Sequence, residues 1–541
     1  MIILNSSYLS TSLLQGFSLH ISSLLEDKNM EIWFVLIATA CLATILNALL
    51  SLKSKRTSRL PPGPTSVPII STIQFLRKSG TDFEATIRSY SAKFGPIITL
   101  PVGLNPAIFI SSRSLAHEAL IHKGAVFADR PKPVPTAKIL TSNQHNITSA
   151  GYGPKWRTFR RNLISEIIHP TKSKEFSHAR KWVLETLLSR FSASSVSDVR
   201  GVKVMDHFRF AMFCLLVNMC FGEKLDESEI REIETIQFQL LTSFTRFRIL
   251  DRWPKMTWIL LWSRWNELYE MKKKQKDLLA PLIRKRKEFL TQGDMNVDQT
   301  SKLVTSYVDT LLTMELLDDD NTKRNLNEDE IVSACSEFLN AGTDTTSTAL
   351  EWIMANLVKY PDIQTKLFRE IKEVVGDDKV EIEENDLSKM SYLKAVVLEG
   401  LRRHPPAHFV LPHAVTQEIE LGGYTIPKNA IINFTVAQMG LDPEVWEDPM
   451  EFRPERFMSG QEEFDITGSH EIKMMPFGAG RRICPGYNLA MLHLEYYVAN
   501  LVWNYEWTAA DGYEVDFSEK QEFTIVMKHP LHAIISPRGT K

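Results

Sequence analysis

The most regular pattern of apolar and polar positions in the chain lies between Asn327 and Pro361. Asn327 and Glu330 form a capping-box pattern at its start. The periodic run then continues to Tyr360 and stops at Pro361, which predicts one helix of about nine turns. A helix of that length must cross the whole domain.

A polar cluster interrupts this helix near its middle, at residues 341–346, where a simple core helix would carry leucine. Gly342 costs about 1 kcal/mol of helix propensity relative to alanine, so we expect a ligand to approach closely there. The Thr345 hydroxyl can donate to the Ala341 carbonyl, which would open the helix locally and leave a groove for small molecules. The alternative is a helix kink lined by polar side chains whose hydrogen bonds are satisfied.

A second apolar run, Ile32–Leu52, contains no charged residue and can cross a hydrocarbon layer about 30 Å thick. It predicts a transmembrane anchor over residues 30–52. A cleaved signal peptide and a buried helix are the alternatives, but neither requires the basic cluster that follows. Acidic residues predominate before the run, so the positive-inside rule predicts a lumenal N-terminus and a cytosolic main body. The basic residues after it are Lys53, Lys55, Arg56 and Arg59.

Behind the anchor, the chain is predicted to form a hinge and one large domain. The hinge, residues 53–64, is basic and ends in the stiff run Pro61–Pro64. No Gly/Ser-rich linker divides residues 65–541, and 44% hydrophobic residues suffice for a sizeable core. The net charge of −2 gives no attraction to nucleic acid. The five cysteines show no C-x-x-C pair, which argues against a zinc site or a disulfide framework and favours a reducing compartment.

One of these cysteines, Cys484, lies in a glycine-containing loop, Phe477–Gly486, that opens onto a predicted helix. Gly480 and Gly486 allow the backbone to approach a flat cofactor closely. The amides that lead into the helix can point at the sulfur and lower the pKa of the thiol. A thiolate held in this way suits an iron porphyrin. The alternative is an ordinary buried cysteine, which behaves as a small apolar side chain.

The loop matches F-x-x-G-x-R-x-C-x-G, and with it the chain resembles the cytochrome P450 family. Three further elements strengthen the resemblance, which covers nearly all of the chain from Pro61 onward. They are A-G-x-D-T-T at residues 341–346, Glu399-x-x-Arg402, and Pro454-Glu455-Arg456-Phe457. The resemblance implies a mainly α fold with small β regions, that is, a cytochrome P450 fold with a single N-terminal transmembrane helix. The segment Phe127–Pro131 is similar to that of plant microsomal members, in particular family 89.

The resemblance also implies roles for individual residues. Cys484 would be the axial ligand of the haem iron, while Asp344 and Thr345 would relay protons to bound oxygen. Glu399, Arg402 and Arg456 would form a structural ion network, with Gly400 slightly loosening the turn between them. The residues that would hold the haem are Trp156, Arg160, His413, Phe477, Gly480, Arg482, Cys484 and Gly486.

The function that follows is that of a haem-thiolate monooxygenase, which inserts one atom of dioxygen into a small, largely apolar substrate. The cofactor would be haem b, with no covalent tether because C-x-x-C-H is absent. The chain has no glycine motif for a built-in flavin reductase, so electrons from NADPH would come through NADPH–cytochrome P450 reductase. Lys473, Arg481 and the run Lys272–Lys274 could meet its acidic surface. The expected location is the endoplasmic reticulum membrane, with one membrane pass and a cytosolic catalytic domain.

Several alternatives remain open at this point. Residues 1–29 are either untranslated, because Met30 stands where related chains begin, or an extension whose Leu13–Leu25 stretch touches the membrane. A relative that rearranges hydroperoxides is a second possible enzyme, although the intact Asp344 and Thr345 argue against it. A haem-binding protein without turnover is the non-enzymatic alternative, and NADPH consumption coupled to product would distinguish it.

Overall fold

The structure is a computed structural model, which describes residue 39 and residues 60–64, 80–100, 106–197, 201–251, 253–292, 304–317, 322–376, 379, 381–458, 464–510 and 512–538. The predicted extension 1–29, almost all of the predicted anchor 30–52 and most of the predicted hinge 53–64 lie outside these residues. Within the described ranges, no helix is both long and apolar enough to cross a membrane.

Helices make up most of the described chain. The α-helices are α1 (Gly80–Phe94), α2 (Arg113–His117), α3 (Gly124–Phe127), α4 (Pro135–Leu140), α5 (Pro154–Leu163), α6 (Pro170–Ser173), α7 (Ser177–Ser197), α8 (Met205–Phe221), α9 (Glu227–Phe247), α10 (Pro254–Leu260), α11 (Trp262–Gln292), α12 (Tyr307–Leu312), α13 (Glu328–Lys359), α14 (Pro361–Val375), α15 (Glu384–Leu387), α16 (Ser391–Arg403), α17 (Val436–Gly440) and α18 (Tyr487–Asn504). Short π-helical turns occupy Glu118–His122 and Ile164–Ile168, and short 3-10 turns occupy Lys174–Phe176, Pro454–Phe457 and Gly480–Arg482.

The strands are short and form small sheets at the edges of the helical body. They are β1 (Ile97–Leu100), β2 (Ala107–Ile110), β3 (Val202–Lys203), β4 (Glu315–Leu317), β5 (Lys323–Asn325), β6 (His413–Ala414), β7 (Ile419–Leu421), β8 (Tyr424–Ile426), β9 (Ile431–Phe434), β10 (Tyr505–Ala509), β11 (Glu519–Gln521), β12 (Ile525–Met527) and β13 (His532–Pro537). One sheet has the order β1-β2-β9-β6, in which only β2 and β9 are parallel. A second has the order β10-β13-β3, and three hairpins complete the set. This confirms the predicted mainly α fold with small β regions.

Helix α13 begins and ends where the sequence predicts. The Asn327 side chain accepts from the Glu330 backbone N–H at 3.0 Å, and the Glu330 carboxylate accepts from the Asn327 N–H at 2.9 Å. Pro361 starts the next helix. Of the 32 residues of α13, 24 are buried, because α8, α11, α16 and α18 all pack against it. The helix is therefore the central element of the fold.

Two glycines allow neighbouring helices to approach α13. A Cβ at Gly342 would lie 2.7 Å from Leu216 Cδ1 of α8, and a Cβ at Gly400 would lie 2.4 Å from Ile353 Cγ1 of α13. Both distances are shorter than van der Waals contact. Contact with Leu216 is thus a structural reason for Gly342 that the sequence did not reveal, and the expected close approach of a ligand stays a prediction. Gly400 allows close contact between α16 and α13, and the expected loosening of its turn stays a prediction.

A buried ion network joins α16 to the chain that precedes the cysteine loop. The Arg402 guanidinium donates to both carboxylate oxygens of Glu399, at 2.6 and 2.8 Å, and both side chains are inaccessible to solvent. Arg456 reaches the same carboxylate at 3.1 Å. Three backbone carbonyls accept the remaining Arg402 N–H groups: Gly440, Pro449 and Glu451. The structure thus brings the three predicted structural residues together in a fully hydrogen-bonded cluster, which a buried charge requires.

Candidate functional site

The loop that carries Cys484 is a tight turn that depends on glycine. The Cys484 backbone N–H donates to the Phe477 carbonyl at 2.8 Å, which closes the loop on itself. Gly478 and Gly480 have φ values of +70° and +68°, a conformation that costs other residues about 1 kcal/mol or more. At Gly480 a Cβ would also lie 2.1 Å from the carbonyl oxygen of Leu120. Gly486 is different, since its φ is −93° and a Cβ there would meet no atom within 4 Å.

The Cys484 thiol lies at the start of α18, among groups with opposing effects on its charge. Burial raises the pKa of the thiol, whereas a hydrogen bond from the Gly486 backbone and the positive charge of Arg160 act to lower it. The effect of burial is the larger, so the expected lowering of the pKa by amides is not achieved by the protein alone. The residue is only half-buried. A thiolate here therefore needs a bound cation, such as a metal ion, to stabilise it.

Two arginines and a tryptophan lie beside the cysteine loop without anionic partners. The guanidinium carbons of Arg482 and Arg160 lie 4.6 and 5.5 Å from the Trp156 ring centroid. Neither arginine forms an ion pair with a carboxylate among the described residues; Arg482 donates instead to the carbonyls of Ala128, Ile147 and Ala150. Burial lowers the pKa of Arg482 to about 9, so it remains charged at neutral pH. The Trp156 Nε1–H is buried and has no hydrogen-bond acceptor among the residues that the structure describes.

His413 is buried on β6, where Nδ1 donates to the Phe127 carbonyl at 2.6 Å. Burial lowers the pKa of this imidazole to about 3, and the nearby Arg130 acts in the same direction. His413 is therefore neutral at physiological pH. Because Nδ1 carries the single proton of the neutral ring, Nε2 can only accept a hydrogen bond, and His413 offers an anionic ligand neither a donor nor a positive charge.

One face of α13 remains accessible in the middle of an otherwise buried helix. Between Glu330 and Val358, its residues that are not buried are Glu337, Asn340, Ala341, Gly342 and Thr345. Other elements pack around this helix, so the accessible face borders an interior space. The Thr345 hydroxyl donates to the Ala341 carbonyl at 2.7 Å, as expected, but the helix remains α-helical throughout.

Asp344 is adjacent to Thr345 in sequence, but its side chain is buried. Its carboxylate lies 3.2 Å from Arg209 Nε on α8, in the geometry of an ion pair rather than of an aligned hydrogen bond. Burial raises the pKa of Asp344, and Arg209 opposes this shift. Arg209 was not predicted as a site residue, although a charged residue within the apolar run Phe208–Phe213 was a usable signal.

A single loop residue connects this helix face to the cysteine loop. The Ile147 backbone N–H donates to the Glu337 carboxylate at 2.8 Å, and the Ile147 carbonyl accepts from Arg482 at 3.1 Å. Arg130 braces the same loop by donating to the Thr148 carbonyl at 2.8 Å. Glu337 and Arg130 were also missed, because their partners are distant in sequence. Ile147 therefore links the accessible face of α13 to the cysteine loop.

These groups fit a planar group that carries a metal ion and carboxylates. The thiol can ligate the metal, while the unpaired arginines and the free indole N–H can bind carboxylates. The glycine turn at Gly480 keeps the loop compact beneath such a group. Iron protoporphyrin has this chemistry, and the residues present match it.

The profile of the family described as Cytochrome P450 matches residues 61–536. Cytochrome P450 89A9 of Arabidopsis thaliana is 51% identical over 492 residues, which cover 89% of this chain and 94% of that protein. The Flavonoid 3'-monooxygenase of Arabidopsis thaliana is 29% identical over 525 residues, which cover 93% and 97% of the two chains. A zebra fish cytochrome P450 solved with progesterone superposes with a TM-score of 0.71 at 23% identity, covering 84% of this chain and 99% of that one.

The fold and the match of the family profile over most of the chain establish that the chain belongs to the cytochrome P450 family, whose members are haem-dependent monooxygenases. Within it, the 51% identity to the Arabidopsis thaliana protein groups the chain with the plant enzymes of family 89.

The two loop glycines should respond differently to the same substitution. We expect Gly480→Ala to lose most of its bound haem, because the added methyl overlaps the Leu120 carbonyl and the positive φ disfavours alanine. Gly486→Ala should retain haem close to the parent level. The measurement is haem content per purified chain, with circular dichroism to verify helical content. Equal haem retention in the two variants would contradict the loop geometry.

Proposed function

We propose that this protein is a haem-thiolate monooxygenase that inserts one atom of dioxygen into a small, largely apolar organic substrate. The proposal is supported above all by the unpaired groups beside Cys484: Arg160 and Arg482 without carboxylates, and Trp156 Nε1 without an acceptor. A buried indole N–H without an acceptor and half-buried arginines without anionic partners are groups that an anionic ligand would complete. Two propionates would supply the missing anionic partners. The proposed catalytic domain is residues 65–541.

In this proposal Cys484 is the axial ligand of the iron of haem b. Trp156, Arg160 and Arg482 would bind the propionates, and the neutral His413 would lie at the cofactor edge, where its Nε2 can accept a hydrogen bond. Phe477, Gly480 and Gly486 shape the loop beneath the ring. The haem, when bound through a thiolate, supplies the activation of dioxygen that this chemistry requires.

Asp344 and Thr345 are proposed to supply protons at the opposite side of the site. Thr345 presents its hydroxyl on the accessible face of α13, where the Ala341 carbonyl fixes its orientation. Burial raises the pKa of Asp344, so its carboxyl group holds a proton at a higher pH than a solvent-exposed aspartate does, while Arg209 opposes the shift and holds the side chain in place. General acid–base delivery of this kind contributes about 10²–10⁴-fold to rate.

The ligand proposal is tested with the full chain and a Cys484→Ala variant. The reduced, carbon monoxide-treated parent should give the strongly red-shifted Soret band of thiolate-ligated haem, and Cys484→Ala should lose that band. Cys335→Ala is the matched control, because Cys335 is buried on α13 and should leave the band unchanged. A parent band at the position typical of histidine-ligated haem would contradict the proposal.

Electrons are proposed to come from NADPH through a separate NADPH–cytochrome P450 reductase. A basic surface beside the cysteine loop supports this. The guanidinium carbons of Arg157 and Arg481 lie 5.1 and 5.4 Å from the Tyr152 ring centroid, so they are close neighbours. Arg157, Arg161, Lys473 and Arg481 are all exposed. Lys272 is less suited to this role than expected, because it is half-buried and donates to the Leu140 carbonyl and Gln275.

We expect charge reversal at this basic surface to weaken the reductase interaction. Arg157→Glu combined with Arg481→Glu should raise the KM for reductase about tenfold or more at low salt, because complementary charges speed association. Lys428→Glu combined with Lys528→Glu, at two exposed lysines outside this basic surface, is the charge-matched control and should change the KM less than twofold. The rate of NADPH-dependent iron reduction is measured against reductase concentration. The same KM for both variants would rule out this docking face.

The proposed topology has residues 30–52 as the single membrane anchor, residues 53–64 as the hinge and the catalytic domain in the cytosol. Association with the endoplasmic reticulum membrane is proposed on two grounds. The first is the apolar run Ile32–Leu52. The second is α10 with its flanks, where Trp253 is 65%, Ile259 74% and Trp262 57% exposed. Tryptophan and aliphatic side chains together are typical of segments that lie in a lipid interface.

The membrane contact of α10 should be visible in hydrogen exchange. For the full chain, we expect backbone amides of residues 253–262 to exchange more slowly in lipid nanodiscs than in a lipid-free amphipol, because lipid would exclude water from the helix. Residues 446–458, which include the exposed Met450, serve as the control and should exchange equally in both. Equal exchange of residues 253–262 in the two environments would remove α10 from the membrane surface.

A further inference from the structure

Helix α13 carries a buried hydrogen-bonded cluster beside its accessible face. The cluster, here called the amide cluster, consists of Gln237 on α9, Lys272 and Gln275 on α11, and Ser336 and Asn340 on α13. Gln275 Nε2 donates to Ser336 Oγ at 2.7 Å, and Ser336 Oγ donates to Gln237 Oε1 at 2.7 Å. Asn340 Nδ2 donates to the same Gln237 oxygen at 3.1 Å. Gln237 and Gln275 are almost completely buried.

Lys272 fixes the direction of every bond in the amide cluster. Burial lowers the pKa of Lys272 to about 8, so the group is still mostly protonated at neutral pH and can only donate. It donates to Gln275 Oε1 at 2.8 Å, which forces Gln275 to present its NH2 group to Ser336 and Gln237. Gln237 must then present its carbonyl oxygen, and Asn340 must present its NH2 group to that oxygen. The orientation of the two ends of each amide follows from this single cation.

As a result, the Asn340 carbonyl oxygen is left pointing away from the amide cluster. It accepts no hydrogen bond within the described chain, and Asn340 is half-buried on the face that also exposes Ala341. Thr345 lies five residues further along, so it is about 7.5 Å away along the helix axis. Asn340 thus offers one fixed hydrogen-bond acceptor to the interior space, at a distance from the proposed site of oxygen chemistry. Gln237 Nε2 also lacks a partner in this part of the chain, so protein groups alone do not complete the cluster.

We infer that the substrate carries a hydroxyl or N–H group that donates to Asn340 Oδ1, and that Asn340 thereby determines which apolar molecules bind. The inference rests on the proposed monooxygenase function, because it assigns the recognition of that enzyme's substrate. A hydrogen-bond donor at this point would anchor one end of the molecule about 7.5 Å along the helix axis from Thr345, near which the position to be oxidised would lie. An otherwise identical molecule without the donor would cover the half-buried Asn340 oxygen and leave it without a hydrogen-bond donor.

The test measures binding of two rigid probes, 2-naphthol and its methyl ether, 2-methoxynaphthalene, to the full-length holoenzyme by calorimetry. The parent should bind the alcohol about three- to tenfold more tightly than the ether, which is the range for one net hydrogen bond. Asn340→Leu should reduce this ratio to about one, with the affinity for the ether unchanged or improved. Asn385→Leu, the same substitution at an exposed residue of α15, should preserve the parent ratio.

Lys272→Met provides a second variant that touches no ligand. Without the cation, the amides can reverse their orientation, and Asn340 can present either its oxygen or its NH2 group. We therefore expect the alcohol-to-ether ratio to fall below the parent value although Asn340 is intact. An unchanged ratio in both Asn340→Leu and Lys272→Met, or a parent that binds both probes equally, would overturn the inference.

The carbon monoxide spectrum of the same samples separates this inference from the proposed function. Calorimetry reports binding whether or not the iron is thiolate-ligated. A normal probe ratio with an abnormal Soret band would therefore contradict the proposed function and leave the role of Asn340 standing. A normal Soret band with no preference between the probes would contradict the role of Asn340 and leave the proposed function standing.

Discussion

The burial of α13 is the constraint on which the rest of the structure depends. A helix of 32 residues can be enclosed by other helices only where side chains at the contacts are small enough. A methyl group at Gly342 would displace the Leu216 side chain, and one at Gly400 on α16 would displace the Ile353 side chain. The close packing is interrupted at one face, from Glu337 to Thr345, and the chemistry of the site is concentrated there.

This interruption is held open by polar contacts rather than by apolar packing. Glu337 anchors the backbone of Ile147 and Thr148, and Arg482 anchors the carbonyl of Ile147 from the other side. Burial raises the pKa of Glu337, and hydrogen bonds from the loop oppose this shift, so its charged form depends on the loop remaining in place. The position of the loop at Ile147 and Thr148 and the charge of Glu337 are therefore coupled. A change that displaced the loop would also neutralise the carboxylate that holds it.

The sequence predicted the elements whose determinants are local. The capping box at Asn327, the stop at Pro361 and the one-turn spacing of Glu399 and Arg402 all involve neighbours in the chain, and the structure has each of them. Arg209, Glu337 and Arg130 were not identified, because each acts on a partner far away in sequence. The same limit explains Gly342 and Gly400. Their cause is a contact with another helix, which no pattern within one segment could reveal.

The polar hexapeptide of α13 combines two roles that the sequence offered as alternatives. The Thr343 hydroxyl donates to the Leu339 carbonyl at 2.7 Å. One turn further along, the Ser347 hydroxyl donates to the Thr343 carbonyl at 2.8 Å, and both side chains are buried. These bonds satisfy the hydroxyls within the helix and leave nothing for a ligand. Thr345 makes the same type of bond, yet its side chain lies on the accessible face. A hydroxyl that donates to its own helix keeps its oxygen lone pairs available as acceptors, so Thr345 can receive a proton donor from the interior space while Thr343 cannot. Accessibility, rather than residue type, therefore separates the structural hydroxyls of this segment from the one that can take part in chemistry.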